Sequence, residues 1–390
     1  MQISMDSQDD SDSPESIEDT SDSQGSIEEV PERWRYLELC CQICGVSFNI
    51  IEGYNGHRIS ADEMRACTTA QFLVSKRLLW DPVWHPDPDD EQFEGGEHFL
   101  SGLSDRVPEV NHRHRPDLWP RRQGIPHVPT SNYLWSRESA DVVCMPFHPY
   151  CLEVYKRASL RRFDTLGIGP LTDWYRLENS IRGFFSFPRH LAVWRGRGDT
   201  WQHHSGDEWL AANPCFIPSL PPLLESCKFP ETTVPDSPGN TRLNDSPPHN
   251  VFSRLPIELH LEILSYLGGL DVANLVQSSR TFWLLPPSFF YGRLLQEMPW
   301  LWEAWCDLPY SFWATTTSAE QEAVSRYWER QRSDLADWRI PVLPAYLLPK
   351  TEVDWRRLFI SISRNLREIK GLRNRARIWA DCEYILDRIE

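Results

Sequence analysis

No apolar run in this chain approaches the ~20 residues needed to span a bilayer, so a helical membrane anchor is not expected. The N-terminus is acidic and lacks an apolar core segment, so no secretory signal is expected either, and the predicted setting is cytoplasmic or nuclear. Lys and Arg are missing from the first 30 residues, which hold ten acidic side chains. Most of the formal net charge of −16 is therefore a property of a Ser- and Asp-rich tail, and says little about partners of the folded part. With almost no apolar residues, that tail (1–33) is expected to be disordered. Catalytic signatures are missing too. There is no Gly-rich phosphate loop, no His-Glu-x-x-His and no Gly-x-Ser-x-Gly. Gly196-Arg-Gly198 reads as a turn, and His203-His204 near Asp207 as a surface loop. No solenoid or propeller repeat is visible. A non-catalytic protein is the expectation.

Hydrophobic residues make up 41% of the chain, with 18 Trp, which is ample material for buried cores. Residues 217–250 carry eight prolines among Ser, Thr, Asn and Asp, and read as an extended linker. They divide an irregular region, 34–216, from the remainder. Within it Asp62 to Trp80 has helical spacing, with Met64, Phe72, Leu73 and Leu79 as apolar anchors, while 81–135 is dense in turn signals. Beyond 299 the pattern is helical. Ser318 and Gln321 suit a capping box, Thr351 suits the cap of a helix carrying Leu358, Phe359, Ile362, Leu366 and Ile369, and Ile378, Cys382, Ile385 and Ile389 stripe a last helix after Gly371. The basic stretches Arg113–Arg122 and Arg356–Arg377 read most simply as solvated faces; holding an acidic or phosphorylated motif is the sharper alternative. Nucleic acid is not an expected partner, because no aromatic-basic binding module is recognisable.

Ten cysteines without a secretory signal point to thiols or metal ligands rather than disulfides. Cys41-Gln-Ile-Cys44-Gly45 is a Cys-x2-Cys knuckle closed by glycine. Far downstream, His148 and Cys151 stand three residues apart where a helix begins, so one helical turn brings both to one face. Together Cys41, Cys44, His148 and Cys151 supply the soft and borderline donors of a closed tetrahedral site, predicting one structural zinc with no open catalytic position. Cys144, His57 and Cys67 are alternative ligands. The His-x2-Cys start of the helix resembles the second half of treble-clef and LIM-type zinc modules, although about 100 residues separate the two halves here.

Three short helices are predicted over 252–295. Pro256 suits a first helical position, and Leu259, Ile263 and Leu267 recur every four residues, broadened by Leu261 and Leu264. Gly268-Gly269 ends that helix, and Asp271 suits the cap of a second, with Val272, Leu275 and Val276 on one face. Pro286-Pro287 breaks the chain, and Ser288 suits the cap of a third helix. So small a unit is expected to leave one apolar face unsatisfied.

The ordered pattern Leu255-Pro256-x-Glu258, Ile263-Leu264-x-x-Leu267, Asp271, Leu275 and Ser279-Arg280-x-Phe282 resembles an F-box. The resemblance spans about an eighth of the chain, and the pairing with a Cys-x-x-Cys knuckle is similar to F-box proteins of filamentous fungi. It implies a subunit of an SCF-type cullin-RING ubiquitin ligase that binds a Skp-type adaptor, with a cullin scaffold behind it and an unidentified protein substrate. Leu255, Pro256, Ile263, Leu264, Leu267 and Leu275 would face the adaptor. The implied architecture is mainly α: a three-helix F-box at 251–298, a helical C-terminal extension at 299–390, and an irregular α+β region at 34–216 for which zinc is the candidate staple. A zinc-stabilised scaffold that uses its F-box outside any ligase is the alternative, and a metalloenzyme a third.

Overall fold

The computed structural model describes residues 40–48, 50, 59–75, 98–100, 103, 144–179, 187–196, 204–229, 251–279, 281–282, 285–311, 314–317, 319–320 and 346–390. All of them belong to one unit, Leu37–Glu390. The expected acidic tail, the basic stretch 113–122 and most of the turn-rich segment 81–135 lie outside the described residues.

Helix dominates. Among the described residues there are nine α-helices and one small antiparallel sheet. The strands are β1 (Gln71–Ser75), β2 (His98–Leu100) and β3 (Cys144–Phe147), in the order β2-β1-β3. Leu73 of β1 pairs with Leu100 on one side and Met145 on the other. The helical spacing from Asp62 therefore does not produce a helix over that stretch. Residues 61–68 form turns, and the Phe-Leu-Val segment enters the middle of the sheet, where pairing on both edges overrides local pattern.

Helix α1 (Pro149–Phe163) follows β3 directly, and Pro149 occupies its first turn, where a missing N–H costs nothing. Then come α2 (Ile168–Asn179), α3 (Leu191–Arg195) and α4 (Leu220–Ser226). The last of these corrects the linker reading. Residues 217–229 are folded, Ile217, Leu220, Leu224 and Cys227 are buried, and Lys228 bridges to Val353; only 230–250 of that segment lie outside the described residues.

The three-helix segment comprises α5 (Ile257–Ser265), α6 (Gly269–Ser278) and α7 (Pro287–Glu297). Its caps differ in detail from expectation. Pro256 is the N-cap rather than the first helical residue, α6 starts two residues ahead of Asp271, and Pro286-Pro287 opens α7 instead of merely breaking the chain. Gly269 sits close to α7: a Cβ there would displace the Glu297 carboxylate and lie in ordinary contact with Phe359 at 3.5 Å. Phe282, at the end of the segment, folds back on Phe252 and His260 with ring centroids 5.1 and 5.0 Å away, and His260 Nε2 meets the Phe252 carbonyl at 2.7 Å.

Helix α8 (Trp355–Asn365) closes the inner side of this trio, packing on both α6 and α7. Asp354, not Thr351, caps it, accepting from Arg357 N at 2.9 Å. Its Leu358, Phe359 and Ile362 join Leu264, Val272, Val276, Phe290 and Leu294 in the core. The capping pair expected at Ser318 and Gln321 falls one residue earlier, with Thr317 and Glu320 exchanging hydrogen bonds.

The last helix, α9 (Lys370–Ile389), ties the two ends of the sequence together. It packs against α1 and α2 and holds Asn374 against the carbonyls of Leu210 and Ala212 at 3.1 and 2.7 Å. Arg375 Nη1 donates to both carboxylate oxygens of Glu303 (3.0 and 2.9 Å), and the guanidinium stacks 3.8 Å from the Trp302 ring, whose surroundings also include Arg157 at 4.9 Å. The basic stretch 356–377 is thus not simply a solvated face, since Arg375 and Arg377 are buried. The regions separated at residue 217 on sequence share this interior.

Candidate metal centre and exposed apolar face

The knuckle forms because Cys40 and Ser47 bridge as an antiparallel pair and Gly45 adopts φ 73°, a left-handed turn open to glycine at little cost. Cys41 N bonds Val46 O at 2.9 Å and Gly45 N bonds Cys41 O at 2.7 Å, fixing both thiols on one side. The knuckle is docked on the sheet through Gln42 N to Pro146 O at 2.9 Å. Two residues on, β3 delivers His148 to the N-cap of α1, and the first turn of that helix delivers Cys151.

The four predicted ligands meet. Sγ of Cys41, Cys44 and Cys151 and a ring nitrogen of His148 all lie within 4.8 Å of one another, and all four residues are buried. Nδ1 of His148 is 3.5 Å from Cys44 Sγ and 4.0 Å from Cys151 Sγ. A tetrahedron with metal–sulfur bonds of about 2.3 Å and metal–nitrogen bonds of about 2.0–2.1 Å has edges of about 3.6–3.8 Å, so the arrangement is compatible with a structural metal site. Backbone N–H groups of Cys44 and His148 point at Cys41 Sγ at 3.5 and 3.3 Å.

His148 is oriented from behind. Its Nε2 lies 2.9 Å from the carbonyl of Cys67. With the proton on Nε2, the lone pair of Nδ1 faces the thiols, the usual outer support of a ligating imidazole. Ala66, just before Cys67, holds φ 57°, a conformation costly for a residue with a Cβ, and this turn aims the carbonyl. Cys67 therefore serves the site through its backbone and lies outside the cluster of ligand atoms. His57 lies outside the described residues, as does the side chain of Cys144. The Tyr150 ring stacks on His148 at 4.9 Å and Phe48 tilts against it at 4.5 Å, walling the site from water.

Burial pushes the thiols of Cys41 and Cys151 up. It acts on Cys44 in the same sense, but hydrogen bonds from the Cys151 and Cys41 thiols oppose it, and Cys44 is held well below the ordinary thiol range. Crowded thiols that compete for one negative charge are the arrangement a cation relieves, by allowing all three to ionise. Among the described residues no other His, Cys, Asp and Glu group is gathered in this way, and the nine cysteines whose side chains are described are free of disulfides. His204 bonds the Arg195 carbonyl, and Asp207 pairs with Arg195.

The second feature is on α5 and α6. At 100° per residue, His260 and Leu264 form the ridge of α5 turned to the core, and both are buried. Leu264, expected to face a partner, is instead fully enclosed in the core. Leu267 and Leu275 are half-buried and packed against that core, Leu255 and Ile263 are half-buried, and Pro256 is exposed. Residues outside the expected set carry most of the apolar surface. Ile257, Leu259, Leu261, Tyr266 and Leu270 are 37–80% exposed, and they are five of the eleven large exposed hydrophobics among the described residues. Leu259, Ile263 and Tyr266 line one flank of the ridge; Ile257 and Leu261 line the other. The four-residue recurrence showed this helix, but nothing in it told the ridge from the flanks.

None of the described helices is long and apolar enough to cross a membrane. No protein-family model matches the chain, and neither a curated protein nor a solved structure does.

Proposed function

We propose that this chain is a non-catalytic receptor subunit of an SCF-type ubiquitin ligase, docking a Skp-type adaptor through residues 251–298 and stabilised by one structural zinc on Cys41, Cys44, His148 and Cys151. One observation carries the docking reading. The inner side of the trio is closed by the chain's own α8, yet Ile257, Leu259, Leu261, Tyr266 and Leu270 stay at the surface within fourteen residues. These side chains stand on the two flanks of α5 and at the start of α6, and give a partner that grips the helix pair apolar area to bury on each side. The F-box-like pattern supplies the kind of partner, and the half-buried Leu255, Ile263, Leu267 and Leu275 then form the floor beneath the exposed flanks.

The mechanism is positional. Holding a target beside a charged conjugating enzyme raises the effective concentration of its lysine, and no bond is made or broken by this chain. Four protein donors leave zinc no open coordination position, so the metal supports the fold rather than a reaction. Co-purification tests the reading. The intact chain is expected to bring down both adaptor and cullin, and Leu255→Ala combined with Pro256→Ala to lose both while keeping its zinc. Adaptor recovered equally by the double variant would refute the docking surface, and adaptor without cullin would favour the scaffold.

A further inference from the structure

Three donor groups gather on one buried indole and find no acceptor there. Trp209 is 3% exposed, and its own Nε1–H is buried without a partner. Arg373, in the first turn of α9, sets its guanidinium 4.1 Å over the indole ring, and that guanidinium meets no hydrogen-bond acceptor among the described residues. His190, just ahead of α3, stands edge-on to the same ring at 5.3 Å. Its Nδ1 accepts from Ala192 N at 3.1 Å, so in the neutral ring the proton is on Nε2, a donor left unused among the described residues. The carboxylate that acts on Arg373 is Asp207, and both of its oxygens already accept from Arg195 Nη2 at 2.9 and 2.7 Å. Arg373 is half-buried and His190 is exposed, so both can be reached from solvent.

A guanidinium resting on an aromatic ring is already ordered, and its fork of N–H donors matches the paired oxygens of a carboxylate or phosphate. Charge points the same way. Burial lowers the basicity of Arg373, the exposed Arg367 adds to that effect, and Asp207 opposes it. An anion held by Arg373 would relieve the repulsion between the two arginines. Burial, followed by the charges of Arg377 and Arg373, likewise pushes His190 down, leaving a neutral imidazole that donates from Nε2 at pH 7. Aliphatic surface lies beside these donors, since Leu191, the residue after His190, is 65% exposed. One anchoring fork flanked by a leucine suits an acidic side chain set among apolar ones, whereas nucleic acid calls for a track of phosphate contacts. We infer that Arg373 and His190, on the Trp209 platform, form a binding site for an acidic segment of another protein, holding one carboxylate or phosphate group. The site shares no residue with the metal quartet or the α5 face and depends on neither reading.

Fluorescence anisotropy with the full-length chain tests this, using three rhodamine-labelled probes: an alternating Leu-Glu hexapeptide, the same peptide with phosphoserine in place of Glu, and a six-nucleotide RNA. Wild type is expected to bind at least one peptide more tightly than the RNA, and the tighter peptide identifies the anionic group as carboxylate or phosphate. Arg373→Gln, which keeps a planar amide beside the indole but loses the charge, should bind that peptide roughly 10–100-fold more weakly, the range for losing charge-assisted hydrogen bonds. Arg373→Lys keeps the charge without the fork and should fall between the two. Melting temperature, zinc content and adaptor capture should match wild type in both variants. Binding of neither peptide by wild type, tighter binding of the RNA than of both, or unchanged peptide affinity in Arg373→Gln overturns the inference. If Arg373→Gln does not fold, Arg373→Lys decides: affinity equal to wild type overturns it.

Discussion

Leu264 and Leu259 stand five residues apart on one helix and should respond to alanine in opposite ways. Leu264 is 0% exposed and lies in the core closed by α8; Leu259 is 46% exposed. Truncating a fully buried leucine loses the transfer free energy of three carbons and leaves a cavity that neighbours only partly fill, a cost of about 2–5 kcal/mol. Phe282, Phe290 and Phe359 are all fully buried in the same core and cannot collapse easily into a leucine-sized gap, which places the expected loss in the upper half of that range. Truncating Leu259 removes area that already faces water, so the expected change is within about 0.5 kcal/mol. Urea unfolding followed by Trp fluorescence gives the difference as a shift in midpoint at constant slope. In adaptor capture the order reverses, with Leu259→Ala retaining its fold but binding less. Equal destabilisation by the two substitutions, or a shift of under about 0.5 kcal/mol for Leu264→Ala, would refute the division of α5 into an inward ridge and outward flanks.

Two further outcomes are expected. Stripping zinc with a chelator should lower the melting temperature and expose the amides of Cys41–Phe48 and α1 to hydrogen exchange, and Cys151→Ser should abolish stoichiometric zinc; a melting temperature indifferent to chelator would contradict a structural metal. Acid should weaken the fold through Glu153, whose carboxyl is buried but held at about 2, against about 4.5 when unfolded, by Lys156 and Arg157. A depressed carboxyl stabilises above the unfolded value and loses that effect as pH falls, here by about 2 kcal/mol at pH 3. Burial holds Asp381 at about 6, so its contribution runs the opposite way between pH 6 and 4, and the informative quantity is the difference in pH slope between wild type and Glu153→Gln. Identical slopes would contradict the ion pairing of Glu153.

The metal quartet could be read from sequence because ligand chemistry is local at each half: a glycine-closed knuckle and a His/Cys pair on one helical turn are recognisable wherever the chain carries them. Its supports could not be. Arg377 lies 333 positions from Cys44, and the hydrogen bond it donates there goes to a carbonyl that carries no residue signature. Ala66 and the Cys67 carbonyl are silent for the same reason. Periodicity found α8 and α9 because their stripes are long. It failed at Gln71–Ser75, where strand pairing with distant segments decides the conformation, and at 217–229, where proline content suggested an open linker but Leu220 and Leu224 had a core to enter. Leu264 was read as partner-facing because nothing local to α5 records which of its ridges the rest of the chain buries.

Docking through the outward flanks of α5 is tested most directly by isothermal titration of the purified full-length chain with a purified Skp-type adaptor. Wild type should form a one-to-one complex with the negative heat-capacity change of apolar burial. Leu259→Asp combined with Tyr266→Asp should abolish binding while the protein stays folded and zinc-loaded. A wild type that gives no binding heat at any temperature, or a double variant that binds as wild type does, would contradict it.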